Sequence, residues 1–137
     1  MHFPRQILIV DDDPAVHDLL AAMLDGKGWN LKCVPDAECA LTQIAAHSYD
    51  LVLSDVNLPG MNGLALLKEI GDIRPHIPVV IMTADDLPNT PIRSLRKLAF
   101  GYLNKPISRG AVTELVRQAF CEPEELDSAW TLSGRPS

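Results

Sequence analysis

The sequence of 137 residues is long enough for one domain with a hydrophobic core, and its 47% hydrophobic content excludes a disordered chain. A formal net charge of −6 without any basic run argues against direct nucleic acid binding by this domain. The apolar runs are too short to cross a bilayer and no signal-peptide core follows the N-terminus, so we expect a cytoplasmic protein without membrane contact. Cys33, Cys39 and Cys121 lack the spacing of a zinc site and are expected as free thiols.

Short apolar runs alternate along the chain with segments of helical periodicity. The first run, residues 7–10, is continuously apolar and rich in β-branched residues, which is typical of a strand buried on both faces of a parallel sheet. The run at residues 29–34 is a weaker strand candidate. The predicted strands are residues 7–10, 29–34, 51–54, 79–82 and 102–104.

A helical pattern follows each apolar run. Asp13, Asp36 and Ser108 are predicted N-caps, because their side-chain oxygens can accept hydrogen bonds from free amides of a first helical turn. The first four predicted helices cover residues 14–24, 37–45, about 64–73, and 91–99. A fifth predicted helix begins after Ser108. The predicted core faces of the first and third helices are Val16, Leu19, Leu20, Met23 and Leu24, and Leu66, Leu67, Ile70 and Ile73.

The alternation of strands and helices predicts an α/β fold. A βα repeat forces right-handed crossovers, which give a parallel sheet with its five helices distributed over both faces. Residues 1–121 are expected to form this one domain. Residues 122–137 are acidic and then polar, and we interpret them as a tail or linker.

Four of the predicted strands end on a polar residue suited to chemistry, namely Asp11 with Asp12, Asp55, Thr83 and Lys105. In a doubly wound sheet these ends lie on one edge. Carboxylates placed side by side repel one another, so the cluster favours a cation with oxygen ligands, Mg²⁺ or Mn²⁺. Lys105 would pair with Asp55 at rest and bind a phosphate oxygen later. The pattern therefore predicts phosphoryl transfer to Asp55.

With these residues in place, the sequence resembles the receiver domain of two-component response regulators over about residues 6–121. The resemblance rests on the acid pair after the first strand, the aspartate before the turn at residues 59–63, Thr83-Ala84, and the Tyr-x-x-Lys-Pro pattern of residues 102–106. It implies a CheY-like, flavodoxin-like doubly wound sheet of strand order 2-1-3-4-5. It also implies a phosphorylation-dependent switch and not an enzyme with a separate substrate.

The resemblance assigns roles around the metal. Asp55 is expected to be the phosphoacceptor, which takes the group from the histidine of a sensor kinase or of a histidine phosphotransfer protein. Asp12 is expected to bind the metal directly and Asp11 through water, while Asn57 would contribute its backbone carbonyl.

The resemblance also assigns a switch. The Thr83 hydroxyl is expected to move to the phosphoryl group, and the Tyr102 ring to turn into the vacated space. Lys105 would bind a further phosphate oxygen, and its peptide bond to Pro106 is expected to be cis. The side chains of Asn57 and Asp85 occupy positions that would tune hydrolysis of the phosphoryl group.

One stretch departs from the family pattern. Residues 84–91 are rich in proline, and Pro91 is expected to delay the fourth helix, since an interior proline costs about 3 kcal/mol. In the family, that helix and the fifth strand form the usual signalling face, so a shortened helix would change the usual dimer interface of a phosphorylation-linked homodimer.

Two other function classes stay open at this point. An aspartate-nucleophile phosphatase or hydrolase would usually have an acid two residues after Asp55, where this chain has Asn57. A degenerate receiver that serves only as an interaction module would normally lack one of the key residues, and none is lost. The output is either a separate protein target or a covalently linked domain of a longer chain.

Overall fold

A computed structural model of the protein describes residues 4–26, 28–61, 63–84 and 99–120. One sheet of five parallel strands is its centre, as the alternating pattern predicts. The strands are β1 (Arg5–Val10), β2 (Trp29–Val34), β3 (Leu51–Asp55), β4 (Val79–Thr83) and β5 (Gly101–Asn104). Their order in the sheet is β2-β1-β3-β4-β5, which confirms the expected doubly wound topology.

Four helices lie in the described part of the chain, and the predicted helix at residues 91–99 falls almost wholly outside it. The predicted tail at residues 122–137 is also outside the described residues. The N-caps at Asp13, Asp36 and Ser108 are confirmed, each accepting a hydrogen bond from a first-turn amide. The helices are α1 (Pro14–Leu24), α2 (Ala37–Ala46), α3 (Gly63–Ile73) and α4 (Arg109–Ala119).

The helices cover both faces of the sheet. Side chains of α2 and α3 pack on one face, and side chains of α1 and α4 pack on the other. Because β1, β3 and β4 are central, their apolar side chains are buried on both faces. Within the described stretches no helix combines the length and the apolar composition that a bilayer crossing needs.

Two predicted core positions are wrong. Leu19 in α1 is 40% exposed and Ile73 in α3 is 39% exposed. Both lie at the margin of their apolar face, because Leu19 precedes the fully buried Leu20 and Ile73 is the last residue of its helix. The apolar periodicity identifies the correct face but overestimates its width.

An aromatic and charged cluster closes the edge of the sheet at which β1 and β2 begin. The rings of Trp29 and Phe120 meet edge to face with their centroids 5.7 Å apart, and the Arg5 guanidinium lies 5.3 Å from the centre of the Phe120 ring. Asp50 accepts a hydrogen bond of 2.7 Å from the Gln6 amide. The two contacts of the Phe120 ring fix the end of α4 against the first two strands.

Candidate functional site

The polar strand ends meet at the carboxyl edge of the sheet. Asp11 directly follows β1 and Asp55 is the last residue of β3, and these two strands are paired so that Val10 lies beside Ser54. Carboxylate oxygens of Asp11, Asp12 and Asp55 all lie within 4.8 Å of one another. The structure thus brings together the three acids that the sequence placed at strand ends.

Asp11 is completely buried, and hydrogen bonds satisfy both of its carboxylate oxygens. Oδ1 accepts from the Asp13 amide at 2.9 Å, and Oδ2 accepts from Lys105 Nζ at 2.9 Å. The backbone is fixed as well, since the Asp11 amide donates to the Val34 carbonyl of β2 at 3.1 Å. A carboxylate at this depth needs such partners, because burial of an unpaired charge is costly.

Asp55 is held in the same manner. Its Oδ1 accepts from the Asn57 amide at 3.2 Å, and its Oδ2 accepts from Lys105 Nζ at 3.1 Å. Lys105 therefore bridges the two carboxylates and does not pair with Asp55 alone. Each acid uses one oxygen for a backbone amide and the other for the shared ammonium.

The surroundings of Lys105 favour its protonated, positively charged form. Burial lowers the pKa of its ammonium, but the hydrogen bonds that it donates to Asp11 and Asp55, together with the attraction of their charges, raise it more, so the pKa lies above its ordinary value. The side chain is 23% exposed and therefore remains accessible from solvent. The Lys105–Pro106 peptide bond is cis, as expected.

The donor set suits a hard divalent cation. Asp12 is exposed, while Asp11 and Asp55 are buried, so the cluster opens to solvent on the Asp12 side. Three carboxylates facing one ammonium leave an excess of negative charge, and all the ligand atoms are oxygens, which Mg²⁺ prefers. Asn57 follows in the turn two residues after Asp55, with its side chain exposed.

Thr83 and Tyr102 lie on the two neighbouring strands. Thr83 ends β4, is completely buried, and accepts a hydrogen bond of 2.8 Å at its carbonyl from the Lys105 amide. Tyr102 lies beside Ile81 in the register of β4 and β5, and its ring packs against the core on the α2 and α3 face. Asp85, the other expected tuning residue, lies outside the described residues.

Sequence reasoning missed three features around Asp55. The contact of Lys105 with Asp11 is one, and the second is the Ser54 hydroxyl, which is buried and donates to the Asp55 carbonyl at 3.1 Å. The third is Gly63, which begins α3 and lies directly against the Asp55 backbone. A glycine at a predicted helix start was a usable signal, because glycine there often marks a close backbone approach.

Known protein families and sequences were compared with this chain. The family described as the response regulator receiver domain matches residues 7–117. The transcriptional regulatory protein ZraR of Salmonella typhimurium is 38% identical over 119 residues, which cover 87% of this chain and 27% of that protein. The response regulator protein FleR of Pseudomonas aeruginosa is 39% identical over 111 residues, or 81% of this chain and 24% of that protein.

Solved structures share the fold. A CheY-like response regulator receiver domain protein from Methanospirillum hungatei has a TM-score of 0.77 and 29% identity, covering 84% of this chain and 92% of that one. The response regulator protein TrrA of Thermotoga maritima, solved in complex with Mg²⁺-BeF, has a TM-score of 0.76 and 28% identity, covering 85% and 99%. The chain spans about a quarter of the length of the curated relatives that it matches.

Proposed function

The chain belongs to the receiver-domain family of response regulators, and from this premise we propose that Asp55 accepts a phosphoryl group from the phosphohistidine of a kinase or phosphotransfer protein. The observation that carries the proposal is the bridge from Lys105 to Asp11 and Asp55. It holds the Asp55 carboxylate, the Asp11 carboxylate and the Lys105 ammonium together at one edge of the sheet, which supports a role of Asp55 as the nucleophile.

In the proposed transfer, an Asp55 carboxylate oxygen forms the new bond to phosphorus while the bond from phosphorus to the histidine nitrogen breaks. The Asn57 amide and Lys105 hold the carboxylate in one orientation before the reaction. Because Lys105 already contacts the nucleophile, its ammonium can follow the charge onto a phosphoryl oxygen without a large movement. Positioning and charge neutralisation are the main needs of such a transfer.

Asp11, Asp12, Asp55 and the Asn57 backbone carbonyl would hold Mg²⁺ or Mn²⁺. Bound there, the cation would supply charge neutralisation for the transferred phosphoryl oxygens. The protein contributes the arrangement of carboxylates, of which Asp11 is already fixed by Lys105 and the Asp13 amide.

We assign the response to Thr83 and Tyr102. The Thr83 hydroxyl would bind the phosphoryl group, and the Tyr102 ring would turn inward and change the surface beside β5. Their positions on adjoining strands next to Lys105 support this assignment. The domain would catalyse only its own phosphorylation and dephosphorylation, with the side chains of Asn57 and Asp85 tuning the lifetime of the phosphoryl group.

The partners follow from this role. A sensor histidine kinase or histidine phosphotransfer protein would donate the group, and a target protein or covalently linked output domain would receive the signal. ZraR is named a transcriptional regulatory protein, so a linked output domain after a receiver at residues 1–121 and a linker at 122–137 fits the relatives. A phosphorylation-linked homodimer is a further partner class, and this domain is not expected to bind nucleic acid. The free thiols of Cys33 and Cys39 suit a cytoplasmic location.

The test is intact-mass spectrometry after incubation with acetyl phosphate, with and without Mg²⁺. Wild type should gain one phosphoryl group that depends on Mg²⁺, and Asp55→Asn should gain none. Asp72→Asn removes an exposed carboxylate on α3 and should behave as wild type. Full labelling of Asp55→Asn would remove Asp55 from its proposed role.

A further inference from the structure

Gly63 makes the closest approach between α3 and the backbone of the phosphoacceptor strand. It is the first residue of α3, and its amide donates to the Val56 carbonyl at 2.8 Å. A Cβ atom placed on Gly63 would collide with the Asp55 carbonyl oxygen and lie 2.7 Å from Val56 Cα. Gly63 does not have a positive φ, so the requirement for glycine is one of space and not of backbone torsion.

The atoms in the way belong to the backbone and cannot rotate aside. At Gly101, by contrast, the nearest atoms to an added Cβ all belong to the Leu115 side chain, which another rotamer can move. At Gly71, on the same helix as Gly63, an added Cβ would meet nothing within 4 Å. Any side chain at Gly63 must therefore push the first turn of α3 away from Asp55 and Val56.

The contact closes a loop around the site. The chain leaves the sheet at Asp55 and Val56, passes through Asn57, and returns to Val56 at Gly63. Asn57 lies within this closed loop, and its amide holds Asp55 Oδ1 at 3.2 Å. A shift at the closing contact would therefore move the amide that orients the nucleophile, together with the carbonyl of the same residue.

We propose that Gly63 is a positioning residue for phosphoryl transfer, because its missing side chain lets α3 fix the Asn57 backbone beside Asp55. The inference rests on the proposed function, in which the Asn57 carbonyl binds Mg²⁺ and Asp55 takes the phosphoryl group. Mutation of a group that orients a metal ligand commonly lowers the metal affinity by about tenfold to hundredfold.

The first test measures Mg²⁺ affinity of the full chain by calorimetry, and then the rate of phosphoryl uptake from acetyl phosphate. Gly63→Ala should weaken Mg²⁺ binding by about tenfold or more and slow uptake even at saturating Mg²⁺. Gly71→Ala controls for glycine replacement in the same helix, and Val116→Ala controls for lost stability in the opposite core. Both controls should bind Mg²⁺ as wild type does.

Affinity of folded Gly63→Ala within twofold of wild type would overturn the inference and leave the proposed function intact. A wild-type chain that neither binds Mg²⁺ nor takes up phosphate on Asp55 would overturn both. The two failures are distinguishable because the wild type is measured first.

A second test uses the wild type alone and does not depend on the folding of Gly63→Ala. If the contact at Gly63 favours Mg²⁺ binding, then Mg²⁺ must favour the contact by the same factor, since coupling between two equilibria is reciprocal. Hydrogen exchange of the Gly63 amide should therefore slow about tenfold more in saturating Mg²⁺ than exchange of the Leu67 amide in the same helix. Equal slowing of the two amides would contradict the proposal.

Discussion

Lys105 bridges two buried carboxylates with one ammonium group. It contacts Asp11 at 2.9 Å and Asp55 at 3.1 Å, while the Asp11 and Asp55 side chains are 0% and 7% exposed. Removal of one partner from a buried ion pair is costly, because the remaining charge stays buried without compensation. The two ion pairs of Lys105 therefore stabilise the fold, and they also hold the groups that the proposed phosphoryl transfer needs.

Lys105→Met should therefore destabilise the protein in buffer without Mg²⁺. We expect the free energy of unfolding to fall by roughly 2 kcal/mol, less than the about 3–5 kcal/mol of a fully buried pair, because the lysine side chain is 23% exposed. Urea denaturation followed by circular dichroism measures the change. Lys68→Met, at an exposed lysine on α3, should cost almost nothing, and an equal loss in both variants would contradict this account.

The same bridge predicts a dependence on alkaline pH. The folded-state pKa of Lys105 is raised, because its hydrogen bonds to Asp11 and Asp55 and the attraction of the two carboxylates together outweigh the effect of burial. Its stabilisation is therefore fully present below the unfolded-state value near 10.5. It is lost as pH rises through the raised folded-state pKa. The difference in unfolding free energy between wild type and Lys105→Met should be constant from pH 7 to 10 and shrink at higher pH. A difference that shrinks between pH 7 and 9 would indicate another group.

Helix α3 shows how burial varies along one element. Ile70 is fully buried and Ile73 is 39% exposed, although the same periodic pattern contains both. Ile70→Ala should lower the free energy of unfolding by about 2–5 kcal/mol through lost burial and a residual cavity. Ile73→Ala should cost less than about 1 kcal/mol, because much of its surface is already in water. Chemical denaturation of both variants tests the contrast, which similar losses would refute.

A second prediction for α3 concerns its interior glycine. An alanine at Gly71 would meet nothing within 4 Å, and Gly71 has no positive φ. Gly71→Ala should stabilise the protein by about 0.5–1 kcal/mol, because alanine has less conformational freedom to lose on folding. The midpoint of thermal unfolding should rise, and a fall would show a contact at Gly71 that the structure does not contain.

At the scale of the whole molecule, Mg²⁺ should stabilise the fold by binding the three clustered acids. For an ion that binds only the folded chain, the expected gain at one hundred times its Kd is about 2.7 kcal/mol. The Tm measured in saturating Mg²⁺ should therefore be several degrees higher than the Tm measured without Mg²⁺. Asp12→Asn should reduce that difference, and an unchanged Tm in saturating Mg²⁺ would count against the site.

Most of the fold could be predicted from the sequence, because strand periodicity and capping residues act locally. The four polar strand ends could also be placed on one edge, since parallel strands share a direction. Other features depend on packing between distant segments. The contact of Lys105 with Asp11 joins residues 94 positions apart, and the exposure of Leu19 depends on how far α1 overlaps the sheet.

The ammonium that Lys105 shares between Asp11 and Asp55 affects the order of folding and metal binding in the cell. Because Lys105 supplies one ammonium that contacts both Asp11 and Asp55, we expect a newly made chain to complete its fold before any metal is available. In the proposed function, magnesium would serve the phosphoryl transfer and would not be needed to hold the scaffold together. Cells starved of magnesium should retain the protein at nearly normal abundance while its signalling output falls.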